Sequence, residues 1–303
     1  MSPLAAVDAQ TLVDATGLGA VYALMAVGIG LVFGVLRLIN FAYGQLIMVG
    51  AYTLAFTADW PVAASVLACF AVVVALTMLM DRAVFRPLRD QSPAVMLVAT
   101  FAVAFMLQAI ALIVDLRDDT LGEVAVSVAP LNQAITVHGV DVRKVTIVAV
   151  AVAAGTLLLL ALMLARTTIG LHMRAASADF ATARLLGVRA NRVVGVAVFL
   201  SGVLAATVAV ILTVQLPFVQ PDFALRDTIV VLVGVVVGGM NRLWTATLGG
   251  FAIGFATGVI NGALPTEQTV FLPSAVFALV IGVLLLRPAG LFASARHASV
   301  ERV

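Results

Sequence analysis

The chain has 303 residues, 63% of them hydrophobic and only 11% charged, with a net charge of +2. A soluble domain carries nearer a quarter charged residues, so the composition excludes a soluble globular protein. Apolar stretches of about 20 residues recur throughout, each long enough to cross a roughly 30 Å hydrocarbon layer as a helix; a membrane β-barrel would show shorter, alternating segments.

In chain order, the predicted spans lie at about 11–36, 42–58, 61–80, 94–115, 145–165, 193–214, 227–240, 244–264 and 271–286. This is an all-α polytopic integral membrane protein with about nine membrane-spanning or broken helices, eight or ten being also compatible. The whole of 1–303 reads as one transmembrane domain. Spans 42–58 and 227–240 are short enough to be tilted, broken or partly re-entrant. The N-terminus lacks a basic n-region and a small-residue cleavage site, which predicts that it is retained. Cys69 is the only cysteine and lies inside an apolar run, which leaves no intrachain disulfide and no thiolate metal cluster. No metal or other cofactor is expected.

The connections divide by charge. Segments 37–41, 81–93, 166–192, 241–243 and 287–303 hold 13 arginines, while the opposite side holds only Arg117, Arg143, Lys144 and Arg226. This bias predicts an outside N-terminus and a cytoplasmic C-terminus. It holds only if the short span at 227–240 crosses. The connection 116–143 is then extracytoplasmic, and its β-branched residues around Pro130, Leu131 and Asn132 predict a small β-hairpin. The cytoplasmic connection 166–192 mixes Ala, Leu and Arg at helical spacing and suits a short helix at the membrane surface.

Two features break the apolar pattern. The first is "LRLINFAYGQLIMVGAY", residues 36–52, which puts Arg37, Asn40, Tyr43 and Gln45 within nine positions. Arg37 can snorkel to the basic face. A broken connection would bring Asn40, Tyr43 and Gln45 to the bundle interior beside a water-filled path. The alternative is that they hydrogen-bond neighbouring helices and fix packing, since an unsatisfied polar group in lipid costs several kcal/mol. The second is a pair of small-residue stripes: Gly250, Gly254, Gly258 and Gly262 at four-residue spacing, and Tyr22, Ala26, Gly30 and Gly34 in the first span. Such stripes let helix backbones approach closely; lining a narrow path is the other reading.

Several activities are excluded. A phosphate-binding Walker loop needs Gly-Lys-Ser/Thr, and the single lysine, Lys144, stands between Arg143 and Val145. The three histidines, His138, His172 and His297, fall in predicted aqueous segments, which leaves no intramembrane hydrolase constellation. Few ionisable residues lie within spans at all, and Asp14 and Asp115 are near span ends, which disfavours ion-coupled pumping.

The stretch "GLGAVYALMAVGIGLVFGVLRLINFAYGQLIMVGAY" closely resembles the first segment of the high-affinity branched-chain amino-acid ABC transporter permeases, the LivH-like half. That family usually has His where Tyr43 stands. "TTIGLHMRAASADFATARLLGVRANR" resembles the family's cytoplasmic coupling segment, and "LLLRPAGLF", residues 284–292, resembles the end of its last span. A departure falls at "GGMNRLWTATLGG", where Asn241, Arg242 and Trp244 replace expected small residues. The resemblance implies a permease subunit of an ATP-binding-cassette importer in the bacterial inner membrane. It would move branched-chain or related amino acids by alternating access and contain no ATPase site of its own. Implied partners are a LivM-like permease, two ATP-binding subunits and an extracytoplasmic solute-binding protein. The coupling residues would be Arg174, Asp179, Ala183 and Gly187, around the degenerate loop "ATARLLG". Tyr22, Asn40, Tyr43 and Gln45 would border the translocation path. A permease for urea or short amides shares these motifs. A self-contained secondary transporter or channel is the alternative from another class.

Overall fold

The computed structural model describes residues 9–37, 40–89, 91–115, 133–137, 140–178, 180–215, 219–222, 224–239 and 243–287. The helices are α1 (Ala9–Leu36), α2 (Tyr43–Phe56), α3 (Val62–Met80), α4 (Arg86–Leu88), α5 (Pro93–Asp115), α6 (Lys144–Arg166), α7 (Thr168–Ala178), α8 (Phe180–Leu185), α9 (Ala190–Gln215), α10 (Leu225–Gly238), α11 (Leu243–Ala263) and α12 (Leu272–Leu286). Among the described residues, seven helices are long and apolar enough to cross a membrane, one of them running continuously over Val62–Leu88. The α2 and α10 helices have only 14 residues each. At 1.5 Å per residue each spans about 21 Å, short of the hydrocarbon thickness. The protein is therefore a multi-pass helical membrane protein with two short helices inside the bundle.

Burial sorts the helices. In α1 the middle is enclosed almost completely, from Val21 to Ile29, by α6, α9, α10 and α11. By contrast, α3, α5, α6 and α12 turn large apolar side chains outward, including Leu67, Phe105, Leu159 and Leu285. Helices apolar on all sides either fill a core or face lipid, and this bundle holds both kinds. Successive contacts fix the directions. Thr146 lies by Gly17 and Leu164 near Gly34, so α6 runs parallel to α1. The α11 helix runs antiparallel to α1, and α10 antiparallel to α11 through Gly234, Gly238 and Gly249. Consequently the end of α1, the α3–α5 connection and the α7–α8 segment share one end of the bundle.

Two departures from regular helix have identifiable causes. Between α3 and α4 lies a π-helical turn, Asp81–Phe85. Pro87 removes one N–H from the ladder just beyond it, and the wider turn keeps the helix axis continuous across that gap. The buried Asp81 carboxylate is held by Arg86 Nε at 2.8 Å. At the end of α1, Arg37 adopts φ 56°, and its N–H bonds to Phe33 O at 2.7 Å. This left-handed residue stops the helix where glycine is usual, at about 1–2 kcal/mol for a side chain. Its guanidinium Nη2 donates to Ser177 O at 2.6 Å, tying the break after α1 to the last turn of α7.

The hairpin consists of β1 (Ala134–Val137) and β2 (Val140–Arg143), antiparallel, with Ile135 opposite Val142 and Val137 opposite Val140. The strands leave two residues between them, 138 and 139, and so begin after the Pro130-Leu131-Asn132 turn expected from sequence. That triplet lies outside the described residues. The β-branched alternation selects the strands, whereas Pro alone does not locate the turn.

Candidate translocation path and coupling segment

The small-residue stripes meet. An added methyl at Gly254 would lie 2.8 Å from Tyr22 Cβ, 2.9 Å from Gly19 Cα and 2.9 Å from Leu18 O. At Gly258 it would sit 2.5 Å from Ala15 Cα, and at Gly250 2.8 Å from Tyr22 O. Gly262 faces Thr11 in the same manner. Backbone contact this close is available only without a Cβ. Gly30 touches Leu243 at 3.2 Å on the same construction. A Cβ on Gly34 would meet nothing within 4 Å; this glycine borders a cavity of about 350 Å³, along with Gly30, Arg174, Ser177 and Trp244. Trp244 itself is exposed; Asn241 and Arg242 lie outside the described residues.

The polar break after α1 folds inward. Asn40, Tyr43 and Gln45 are all essentially inaccessible. Asn40 Oδ1 accepts from Ala42 N–H at 3.0 Å, a local turn that launches α2. Phe41 stacks on Phe101 with ring centroids 4.1 Å apart. Tyr43 lies over Gly28: a Cβ there would sit 2.5 Å from the tyrosine Cζ, and Gly28 O accepts from Ser201 Oγ at 2.8 Å. The Tyr43 hydroxyl and Gln45 Oε1 are buried with no hydrogen-bond partner among the described residues. Each such orphan costs about 1–3 kcal/mol, which makes both groups points of interest in a lipid-embedded bundle.

Asn40→Leu is expected to lower stability by about 0.6–2 kcal/mol, because the buried Ala42 N–H loses its acceptor. Asn40→Ser, which keeps a short acceptor, should lose less. Melting temperatures of the purified protein in detergent measure the difference, and equal melting for both variants would contradict this role of the amide.

The first turn of α10 abuts that of α2. A Cβ on Gly44 would lie 3.0 Å from Ala224 O and 3.1 Å from Thr228 Cβ. The partially positive N-terminal ends of two interrupted helices therefore lie side by side within the bundle. Between α10 and α1, Tyr22 Oη donates to Asp227 Oδ1 at 2.7 Å. Asp227 belongs by sequence with the extracytoplasmic acidic residues, but its carboxylate is drawn inward onto a buried tyrosine. Sequence reasoning missed it. The available signal was an acidic residue in the opening turn of an unusually short apolar span.

The candidate coupling segment, 166–192, lies at the end of the bundle shared with Arg37. Gly187 has φ 89° and ends α8: Val188 N–H bonds to Ala183 O at 3.0 Å and Leu186 N–H to Thr182 O at 3.1 Å. This is a glycine stop, in which the residue after the glycine reaches back five positions. Ala183 is buried, whereas Leu185 and Leu186 are 87% and 80% exposed. Neither leucine was singled out from sequence. Arg174 is exposed beside the 350 Å³ cavity, and Asp179 lies outside the described residues.

Interrupted helices meeting inside an apolar bundle define a membrane permease as the class. The model of the branched-chain amino acid transport system permease component matches residues 11–287, and the chain belongs to that family. It is 28% identical over 296 residues to the high-affinity branched-chain amino acid transport system permease protein BraD of Pseudomonas aeruginosa, covering 93% of this chain and 94% of that one. It is 26% identical over 300 residues to the corresponding LivH protein of Escherichia coli K12, with 93% and 94% covered. PsaBC from Streptococcus pneumoniae in complex with Fab superposes with a TM-score of 0.46 at 14% identity, covering 91% of this chain and 89% of that one.

Proposed function

We propose that this protein is the permease subunit of an ATP-driven importer carrying branched-chain or related amino acids across the bacterial inner membrane. The family match across nearly the whole chain carries this reading. The path runs past the first turns of α2 and α10, bordered by Tyr22, Asn40, Tyr43 and Gln45. In the bundle Tyr43 Oη and Gln45 Oε1 have no partner among the described residues, and an open path would supply water or solute. A homologous LivM-like permease packs on the exposed apolar faces, and a solute-binding protein delivers the amino acid outside.

Two separate ATP-binding subunits dock on the α7–α8 segment. The exposed Leu185–Leu186 pair, held by the glycine stop at Gly187, supports this assignment. Arg174, Asp179 and Ala183 belong to the same docking unit. Closure of the ATPases would push α7, and the Arg37–Ser177 hydrogen bond offers a direct link from there to the break before α2. The basic bias favours placing this end in the cytoplasm and the N-terminus outside.

Reconstitution tests the reading. Vesicles holding the complete complex should accumulate leucine only with ATP and binding protein, while vesicles holding this chain alone should show no flux. Leucine flux through the chain alone would make it a self-contained transporter or channel. Uptake of urea but not leucine by the complete complex would assign it to amide transport.

A further inference from the structure

We infer that Asp227 receives the α-ammonium group of the transported amino acid, with Tyr22 holding the carboxylate in place. This rests on the amino-acid permease reading and names the residue that would recognise the cargo's charge. Asp227 sits in the first turn of α10, at the place where α10 meets the start of α2 inside the bundle. Its Oδ1 accepts the Tyr22 hydroxyl at 2.7 Å. Tyr22 is buried, but Asp227 keeps partial exposure, so its second oxygen is not sealed by protein.

Among the described residues the carboxylate has no ion-pair contact within 4 Å, the adjacent Arg226 acting on its charge only from a greater distance. Among the described residues the ion pairs are Arg86–Asp81 and Arg226–Asp222, and the neighbouring Arg226 is thus directed to Asp222. A carboxylate inside an apolar bundle with one hydroxyl partner is poorly compensated, and a charged residue at such depth marks a pathway rather than packing. An arriving ammonium supplies the missing charge and a charge-assisted hydrogen bond. The opening turn of α2, which abuts that of α10 at Gly44, also carries Gln45, whose Oε1 has no hydrogen-bond partner among the described residues. A carboxylate with no ion-pair contact of its own favours a cationic head over an anionic one. Urea and simple amides carry no such charge, so Asp227 would favour amino acids over them.

Asp227→Asn keeps an oxygen for the Tyr22 hydroxyl and removes only the charge. In vesicles holding the complete complex with its binding protein, it should lower leucine uptake per complex about ten-fold or more, as expected for loss of a charged hydrogen bond. The melting temperature should stay near wild type. Tyr22→Phe, which leaves the charge but frees its orientation, should cost less. Asp227→Glu should retain most of the uptake that Asp227→Asn loses. Asp227→Asn uptake within two-fold of wild type would overturn the assignment while leaving the permease reading intact. So would lowered stability of both Asp227 variants with normal uptake per assembled complex, which would make the pair structural. If Asp227→Asn fails to assemble, the Asp227→Glu variant decides: wild-type-like uptake supports the charge, and loss of uptake in the assembled complex overturns it. A wild-type complex that imports urea but no leucine would instead refute the reading beneath the proposal.

Discussion

Gly254→Leu is expected to prevent assembly of a stable bundle, whereas Gly282→Leu should be nearly silent. The two glycines occupy the interiors of α11 and α12, and helix propensity treats them alike. Their surroundings differ. A Cβ at Gly254 would come within 2.9 Å of Gly19 Cα and Leu18 O, atoms of a backbone that has no rotamer to change. A Cβ at Gly282 would meet nothing within 4 Å. Overpacking typically costs about 1–3 kcal/mol, and a clash against backbone belongs at or above the upper end. The α1 helix that would have to move is the one enclosed by α6, α9, α10 and α11, so the disturbance would spread through the whole bundle. An exposed substitution away from such contacts usually stays within about 0.5 kcal/mol. Detergent-solubilised yield and melting temperature measure both. A Gly254→Leu protein as stable as the Gly282→Leu protein would mean that the α1–α11 interface is not as close as described.

Gly187→Arg should insert and fold but uncouple the complex. Two effects need separation at this position. The φ of 89° is one that side chains rarely adopt, so any replacement strains the glycine stop by about 1–2 kcal/mol. No neighbouring atom lies within 4 Å of its Cβ position, so size has no intramolecular penalty. Gly187→Ala therefore carries the backbone strain alone, and Gly187→Arg adds bulk and charge beside exposed Leu185 and Leu186. ATP hydrolysis stimulated by loaded binding protein should fall several-fold further in the arginine variant than in the alanine variant. Equal stimulation in the two would place the ATPase contact elsewhere and leave Gly187 as a helix stop only.

Much of the architecture was legible before any coordinates. Span lengths located the helices to within a few residues, because a helix in lipid must carry an unbroken apolar run. The two short spans stood out for the same reason, as did the four glycines of α11, whose spacing repeats along one helix face. Arg37, Asn40, Tyr43 and Gln45 were conspicuous because polar residues are rare in such a chain.

Composition by itself determined that the protein lives in a membrane, and the single lysine leaves the sequence without a Walker loop, since both depend on which residues are present. The family-like motifs added the class. Pairing was decided only by the tertiary structure. The Tyr22–Asp227 hydrogen bond joins residues 205 positions apart and leaves no periodic trace in either segment. From sequence Asn40 read either as a path residue or as a packing residue; that its side-chain oxygen accepts from the backbone two residues on is a detail set by local dihedrals. The open space where a Cβ on Gly34 would lie, in the same stripe as Gly30, was equally invisible. A stripe states which face of a helix is small; whether another helix occupies that face depends on how the remaining helices fill the space around it.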